Sequence, residues 1–180
     1  MSSLRFIKQV EITSSVSSVD VTDVFSEDFD IYKIVTSNIQ TAGAAATSAV
    51  LRVIESSGNL VVFNSAFQGQ YQYAGLSMTD ASAYVEEKST ADTKIKEFFG
   101  VGYQSPSSSG SVSYCFNPYQ NDRYTFFINQ SSSGSLRTKK QIALVPNVSS
   151  VTGFQVKADT VSRPYDSGLI RVYGLSREVS

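Results

Sequence analysis

Few residues in this chain of 180 could carry out chemistry. The sequence contains no His and no Trp, and its single Cys is Cys115. A Ser-His-Asp or Cys-His nucleophile needs an imidazole as its base, so neither can be assembled from this chain. A zinc site made of His and Cys cannot be built around one thiol. The residue types therefore predict no catalytic residue and no cofactor, and they favour a buried apolar role for Cys115.

Carboxylates are concentrated in one segment, residues 20–30, which holds five of them. A Ca²⁺ site requires several carboxylate or carbonyl oxygens to converge at about 2.3–2.6 Å, and an EF-hand loop requires alternating acids with a central Gly. The spacing in this segment does not follow that pattern. A glycosidase requires two carboxylates on opposite sides of a groove, and nothing in the segment fixes such a pair. We predict a solvated turn between two strands, with no metal bound.

Two tyrosines, Tyr71 and Tyr73, are candidates for a contact surface. They lie in the sequence Gly69-Gln-Tyr-Gln-Tyr-Ala-Gly75, where the neighbouring residues are polar or small, so full burial of the rings is not compulsory. Exposed Tyr side chains anchor protein interfaces and stack on sugar rings. The alternative is that these rings line the core with their hydroxyl groups at its edge.

The only basic run, Arg137-Thr-Lys139-Lys140, is the second candidate for a contact surface. Such a run could touch an acidic partner or nucleic acid. It lacks interleaved aromatic residues, and the chain has 15 Lys and Arg against 16 Asp and Glu, which leaves no general attraction for nucleic acid or anionic lipid. We therefore count Arg137, Lys139 and Lys140 as interface candidates and expect neither nucleic acid nor a membrane as partner. The alternative is a solvated strand start.

The elements that must position these residues are β-strands. Charged residues make up 17% of the chain and aromatic residues 12%, and the sequence is rich in Ser, Thr, Val, Tyr and Phe. This composition is typical of β structure. Apolar residues recur with period two in short runs that are separated by Ser, Gly and Asn. The pattern predicts an all-β fold with one domain over residues 1–180, an antiparallel β-sandwich of jelly-roll type with about ten strands.

Individual runs give more detailed predictions. In the first strand, Leu4, Phe6, Val10 and Ile12 are expected to share one face, with Lys8 as the exception. Further strands are expected at residues 19–25, 31–39, 68–76, 95–101, 111–116, 124–129, 140–145, 153–158 and 169–175.

The connections carry predictions of their own. Residues 50–55 and 60–63 are expected to form a hairpin, because Gly and Asn between them accept positive φ. Residues 80–96 have weak periodicity and are expected to form a short helix or a long excursion between strands. The serine-rich segments 105–110 and 131–135 are expected to be hairpin tips.

Three parts of the chain together carry a recognisable pattern. They are the opening Leu4-Arg-Phe-Ile-Lys8, the stretch from Val19 to Ile39 followed by Leu51-Arg-Val53, and the closing Ser167-Gly-Leu-Ile-Arg-Val-Tyr-Gly-Leu175. The pattern resembles the first strands and the final strand of small β-sandwich virion proteins of tailed bacteriophages. The resemblance implies a sandwich whose first and last strands lie together. It carries no catalytic residue.

The resemblance also implies a non-enzymatic structural role. Proteins of this kind act as capsid decoration (cement) subunits or as tail and fibre modules. We expect a decoration protein that binds the shell of the major capsid protein as a homotrimer, since symmetric assembly and many repeated weak contacts suit that role. The alternative is a tail-fibre or receptor-binding module for host-surface glycans.

The expected location is the virion, after assembly in the host cytoplasm. Arg5 and Lys8 interrupt the N-terminal apolar stretch, so we expect no secretory signal. No apolar run approaches the roughly 20 residues that cross a bilayer as a helix.

Overall fold

The structure is a computed structural model, and it describes residues 4–41, 47–60, 67–75, 84–92, 95–101, 109–133, 137–145, 149–160 and 162–175. Within these ranges the chain forms twelve strands: β1 (Leu4–Ile12), β2 (Ser18–Val21), β3 (Ile31–Thr41), β4 (Thr47–Glu55), β5 (Phe67–Gly75), β6 (Tyr84–Asp92), β7 (Ile95–Val101), β8 (Ser109–Phe116), β9 (Thr125–Ser133), β10 (Arg137–Val145), β11 (Val151–Ala158) and β12 (Tyr165–Leu175). The prediction of an all-β chain is confirmed.

The strands form two antiparallel sheets. The large sheet has the order β1-β12-β3-β8-β9-β10-β5-β6, and the small sheet has the order β2-β11-β4-β7. Strands β1 to β4 alternate between the two sheets along the chain, and so do β7, β8, β11 and β12. These eight strands form two facing sheets of four, which is the arrangement of a jelly roll and confirms the predicted sandwich. The other four strands extend the large sheet beyond β8.

The first and last strands are hydrogen-bonded neighbours, as the resemblance implied. β1 pairs with β12 from Leu4 opposite Leu175 to Ile12 opposite Gly168. A register shift between Phe6 and Lys8 interrupts this ladder. Such a bulge places an extra residue in β1 and reverses the face on which later side chains lie.

This bulge corrects the prediction that four apolar residues of β1 share one face. Leu4 and Phe6, before the bulge, are 52% and 55% exposed, whereas Val10 packs against the core and Ile12 is buried. Lys8 lies after the bulge, and its ammonium group donates a hydrogen bond of 2.8 Å to the carbonyl oxygen of Thr22.

The core lies between the two sheets and is built from alternate residues. In β3, Tyr32, Ile34 and Thr36 are buried while their neighbours are partly exposed, which confirms the predicted alternation. Aromatic rings connect the layers: Phe25 contacts Tyr32 and Phe154 with ring centroids 4.7 Å and 5.9 Å apart, and Phe98 of β7 meets Phe127 of β9 edge-on at 6.4 Å. The remaining fully buried large side chains include Ile39, Leu51, Ile95, Tyr165 and Ile170.

The expected helix or excursion at residues 80–96 is wrong for the part that the structure describes. There the chain forms the strand β6 and the start of β7. β6 pairs with β5, from Tyr84 opposite Ala74 to Asp92 opposite Phe67, and is the last strand of the large sheet. Charged residues are common on edge strands because they discourage pairing with other chains, and this explains the weak apolar periodicity.

The predicted connections are only partly as expected. A turn does follow β4: Gly58 has φ of 81°, and Ile54 forms an isolated bridge with Leu60. Residues 61–63 of the predicted hairpin lie outside the described residues, as do residues 102–108. The tip predicted at residues 131–135 is shorter than expected, because β9 continues to Ser133.

Candidate partner-binding face

The outer face of the large sheet, directed away from the small sheet, carries an unusual set of side chains. Register places two rows of residues across six adjacent strands, β1, β12, β3, β8, β9 and β10. The first row is Leu4, Leu175, Ile31, Phe116, Phe126 and Leu144, and the second is Phe6, Tyr173, Lys33, Tyr114, Ile128 and Ile142. We call these two rows the apolar band.

The apolar band is open to solvent on its outer side. Ile142 is 52% exposed, similar to Leu4 and Phe6 at the other end of the band, and the other residues of the band are partly exposed. Antiparallel sheets with one face on the core usually present polar side chains on the other face. A band of this composition is therefore not explained by the packing of the two sheets against each other, since none of these side chains contributes to the space between the sheets.

Aromatic contacts hold the rings of the band in place. Phe116 and Phe126 stack with centroids 4.4 Å apart and planes only 5° from parallel. Phe6 meets Tyr173 edge-on at 5.8 Å. Cross-strand aromatic pairs of this kind stabilise a sheet and restrict the rings to one arrangement. A partner that binds here meets a surface whose side chains are already ordered, which lowers the entropy cost of association.

A third row borders the band and is more polar. It contains Arg171, Val35, Val112, Gln130 and Lys140, in strand order. Beside it lies a hollow of about 330 Å³, lined by residues that include Val112, Gln130, Ser132 and Thr138. Gly110, opposite Ser132 in the ladder, also lines this hollow.

The charged residues in these three rows are all cations. Lys33 lies in the middle of the second row, and Arg171 and Lys140 lie at the two ends of the third. The guanidinium of Arg171 donates a hydrogen bond of 2.8 Å to the side-chain oxygen of Gln9. The next row on this face begins with a carboxylate, Glu11, opposite Leu169. Two cations thus lie in the row beside the band, although the whole chain has a net charge of −1.

The structure places the predicted tyrosines on β5, within the extension of the large sheet. Tyr71 is opposite Gln141 and Tyr73 is opposite Lys139 in the β5–β10 ladder. Their side chains lie outside the described residues. A role for Tyr71 and Tyr73 in partner contact stays a prediction.

The basic run is divided by the strand that contains it. Lys139 is only 6% exposed and lies on the inner face of β10, whereas Lys140 is exposed on the outer face. Arg137 pairs with Ser133 and Gly75 through its backbone, and its side chain lies outside the described residues. Lys139 and Lys140 are separated in this way because successive side chains of a strand point to opposite faces. A role for Arg137, Lys139 and Lys140 in partner contact stays a prediction.

The sequence did not predict the apolar band, because alternation of apolar residues along a strand is the same whichever face of the strand is buried. In β9 and β10 the outward residues Ile128 and Ile142 are apolar, while the inward residues Asn129 and Gln141 are polar and buried. A local signal was present: in these two strands both alternating sets contain apolar residues, so one set had to be exposed. Only the pairing of the strands reveals which set that is.

The inner face of the same strands carries buried polar contacts. The Ser113 hydroxyl donates to the side-chain oxygen of Asn129 at 2.7 Å, and the Asn129 amide donates to the backbone carbonyl of Phe98. Thr36 and Ser111 share a hydrogen bond of 2.8 Å between their hydroxyl groups. These bonds satisfy polar groups that would otherwise be costly to bury, and they link neighbouring strands and the two sheets.

The ionisable groups with shifted pKa values are mostly buried groups of the core. Burial raises the pKa of the Cys115 thiol well above its ordinary value, and Cys115 is fully buried as expected. Burial likewise raises the pKa of Tyr32 and of Tyr165. On the surface, the neighbouring Arg123 lowers the pKa of Asp122, with which it forms a salt bridge of 2.9 Å. Unlike a reactive cysteine, Cys115 is inaccessible and has little thiolate character.

The acidic segment begins in β2, which contains Asp20, and continues through the loop between β2 and β3. Asp20 accepts a hydrogen bond of 2.8 Å from the side-chain amide of Gln155, and Asp28 accepts one of 3.1 Å from the Ser26 hydroxyl. Across the described ranges, no three acidic, His or Cys side chains are grouped so that they could hold a metal ion. Those ranges also contain no helix of the length and hydropathy that would cross a bilayer.

Comparison with known proteins identifies no relative: the sequence matches no protein-family model and no curated protein.

Proposed function

We propose that this chain is a non-enzymatic structural protein of a tailed-bacteriophage virion. In this proposal it decorates the capsid, binds the shell formed by the major capsid protein and stabilises that shell as a homotrimer. A closed trimer fits the local three-fold positions of a capsid. Many weak contacts, repeated over the shell, add up to strong attachment through multivalency.

The observation that carries this proposal is the position of the segments that resemble phage virion proteins. They are far apart in sequence, at residues 4–8, 19–39, 51–53 and 167–175. In the structure they contribute to β1, β12 and β3, three adjacent strands of the large sheet, and to β2 and β4, which lie on either side of β11 in the small sheet. The segments thus lie in both sheets of the sandwich and include its first and last strands, which supports the architecture that the resemblance implies.

The apolar band gives independent support for a binding role. A protein that acts alone gains nothing from leaving a continuous patch of exposed and partly exposed apolar side chains on the outside of a sheet, because such a surface promotes aggregation. A decoration protein covers this surface when it binds. The fold by itself does not choose the function, since jelly rolls occur in both viral capsid and lectin domains.

A second candidate function is that of a tail-fibre or receptor-binding module. Tyr124 favours it, because this residue is 50% exposed and directly follows the Asp122–Arg123 salt bridge. An exposed ring beside a carboxylate and a guanidinium can stack on a sugar and hydrogen-bond its hydroxyl groups. This candidate predicts that the isolated protein binds glycans.

Location on the particle distinguishes the two candidates. An antibody raised against the purified chain would be used in immunogold labelling of virions from the phage that encodes it, with a pre-immune serum as control. Label on the capsid facets supports decoration. Label confined to the tail contradicts decoration and favours the fibre module, and virions without label contradict both.

A glycan array with the purified protein provides the second measurement. The Tyr124→Ala variant is the matched probe, and Tyr114→Ala, on the outer face of β8, is the control for loss of a partly exposed ring. Glycan binding that Tyr124→Ala removes and Tyr114→Ala retains would favour the receptor-binding module. Absence of binding to any glycan together with capsid label supports decoration.

A further inference from the structure

We infer that the apolar band is the surface by which this chain docks onto the capsid shell, and that the region of the shell it covers presents apolar side chains together with Asp or Glu carboxylates. This inference rests on the proposed decoration function and assigns the contact surface and the chemistry of the partner. The residues that carry it are those of the two rows, which include Lys33, with the cations Lys140 and Arg171 in the bordering row.

The size of the band fits the centre of a protein interface. Six strands spaced about 4.8 Å apart, each with two outward residues spaced about 7 Å apart, cover roughly 400 Å². This area lies within the range of roughly 300–600 Å² for the largest apolar patches on monomers. The more polar third row brings the whole surface to roughly 600 Å². A standard interface buries about 800 Å² on each partner, so the band with a polar rim approaches that size.

The composition of the band also fits an interface centre. Interface cores are enriched in aromatic side chains and depleted in charges, with polar groups at the rim. Phe116, Phe126 and Tyr173 lie inside the band, whereas Arg171 and Lys140 lie in the bordering row. The adjacent hollow of about 330 Å³ can accept a protruding side chain of the partner.

Charge determines which partner fits. Lys33 lies within the band, and the other charged residues of the three rows, Arg171 and Lys140, are also cations. Two copies stacked through this face would bring like charges together at a site where water is excluded, which is costly. A surface with carboxylates opposite these cations would gain charge-assisted hydrogen bonds instead. The band is therefore complementary to an acidic apolar surface and not to itself.

The test measures binding of the purified full chain to empty shells assembled from the major capsid protein of the same phage. Ile142→Glu and Ile142→Lys both remove one exposed apolar side chain from the band and differ only in the sign of the new charge. Lys140→Glu reverses one charge in the third row. Two controls introduce the same charges elsewhere: Ser57→Glu in the turn after β4, and Lys157→Glu on β11 of the small sheet.

We expect Ile142→Glu to weaken shell binding at least about tenfold, because it places a carboxylate against a partner surface that is apolar and acidic. Ile142→Lys should weaken binding less than Ile142→Glu, because its charge suits an acidic partner. Lys140→Glu should weaken binding about three- to tenfold, and this loss should shrink at high salt because salt screens charges near the surface. Both controls should bind like the unaltered chain. Circular dichroism and the melting temperature check that each variant is folded, and the exposed Lys140 provides the test if the Ile142 variants unfold.

Each other outcome overturns a stated part of the proposal. If the unaltered chain binds the shells and all three variants on the large sheet bind equally well, the band is not the docking surface, while the decoration function stands. If Ile142→Glu and Ile142→Lys lose shell binding equally and Lys140→Glu loses none, the inference that the partner surface is acidic is wrong. If light scattering shows self-association that Ile142→Glu abolishes, a second copy covers the band and the shell does not. Failure of the unaltered chain to bind the shells overturns the decoration function itself.

Discussion

The side-chain amide of Asn129 donates a hydrogen bond to the backbone carbonyl of Phe98, and this bond joins β9 of the large sheet to β7 of the small sheet. Both residues are buried, and the Ser113 hydroxyl completes the arrangement by donating to the other end of the Asn129 side chain at 2.7 Å. A buried amide that is satisfied at both ends stabilises one particular placement of the two sheets, because any shift would leave polar groups unpaired.

Replacing Asn129 with Ala should therefore destabilise the protein strongly. The change leaves the Phe98 carbonyl and the Ser113 hydroxyl without these partners, and each buried unpaired group costs about 1–3 kcal/mol. We expect a loss of about 3 kcal/mol in the free energy of unfolding, measured by urea denaturation. The control is Ser113→Ala, which keeps the bond to Phe98 and should cost about 1 kcal/mol. Equal losses in the two variants would show that the link between the sheets contributes little.

Two buried tyrosines should respond oppositely to loss of their hydroxyl group. Tyr32 donates to the carbonyl of Ser26 at 2.8 Å and accepts from the Ser26 amide at 2.7 Å. Within the described residues, the Tyr165 hydroxyl is buried and has no hydrogen-bond partner. At pH 7, Tyr32→Phe should cost about 1–2 kcal/mol, whereas Tyr165→Phe should be neutral or stabilising. Thermal unfolding of both variants measures this, and a large loss in Tyr165→Phe would reveal a partner for that hydroxyl.

Tyr165 also determines part of the response to alkaline pH. Burial raises the pKa of its phenol far above the ordinary value, with a smaller contribution from the charge of Asp159. The folded state therefore disfavours ionisation. The contribution of Tyr165 to the free energy of unfolding is complete below about pH 10, the ordinary pKa of the phenol in the unfolded chain. Above that pH the free energy of unfolding falls by up to about 1.4 kcal/mol per pH unit. Tyr165→Phe should flatten this decline between pH 10 and 11 in urea denaturation, and an unchanged slope would contradict the burial of the phenol.

Removal of the first eight residues should expose an edge of the large sheet. These residues contribute the part of β1 that pairs with Leu175 to Val172 of β12. Without them, the N–H and C=O groups of β12 along that edge are free to pair with another chain, which promotes aggregation. We expect a lower melting temperature and a larger particle size in light scattering. A stable and soluble deletion variant would show that this segment is a detachable arm.

Shortening the serine-rich connection after β9 should destabilise the protein. The hairpin tip predicted from the sequence at residues 131–135 would instead tolerate this change. Ser131 is buried, and Ser132 and Ser133 pair with Thr138 and Arg137 of β10. Deleting Ser132 alone would shift the end of the strand by one residue and reverse its faces. We expect a clear fall in the melting temperature. The double substitution of Ser132 and Ser133 by Thr, which keeps the length, should leave the melting temperature nearly unchanged.

Gly153 should tolerate no side chain. A Cβ atom there would overlap the backbone carbonyl oxygen of Val21 and lie 3.0 Å from the Cα of Thr22, and neither backbone atom can move without disturbing the β2–β11 pairing. Gly153→Ala should cost about 2 kcal/mol or more, in the range of overpacked cores. The control, Gly58→Ala, meets no atom within 4 Å and should cost only about 1 kcal/mol for its positive φ. Equal costs would contradict the close approach of β2 and β11.

The fold class follows from the sequence because alternation is a local property. In β8, one set of alternate residues is polar or small and the other, apart from Gly110, is apolar or aromatic, so the strand could be located within a few residues of its ends. The pairing of β1 with β12 was also predicted, since the resemblance named both strands as ends of one sandwich. Cys115 was expected to be buried because a lone thiol in an apolar strand behaves as a small apolar residue.

The tertiary structure alone decided which faces are exposed and which distant strands pair. β5 pairs with β10, more than sixty residues later in the chain, and no local pattern encodes such a choice. The bulge between Phe6 and Lys8 reverses the faces of β1. The pairing of β9 and β10 with the rest of the large sheet extends the apolar band across these two strands. The same pairing places Lys139 on the inner face. The physical reason is that a period of two specifies two faces without saying which is inside. That choice depends on the energy of packing one sheet against the other, which involves residues from both.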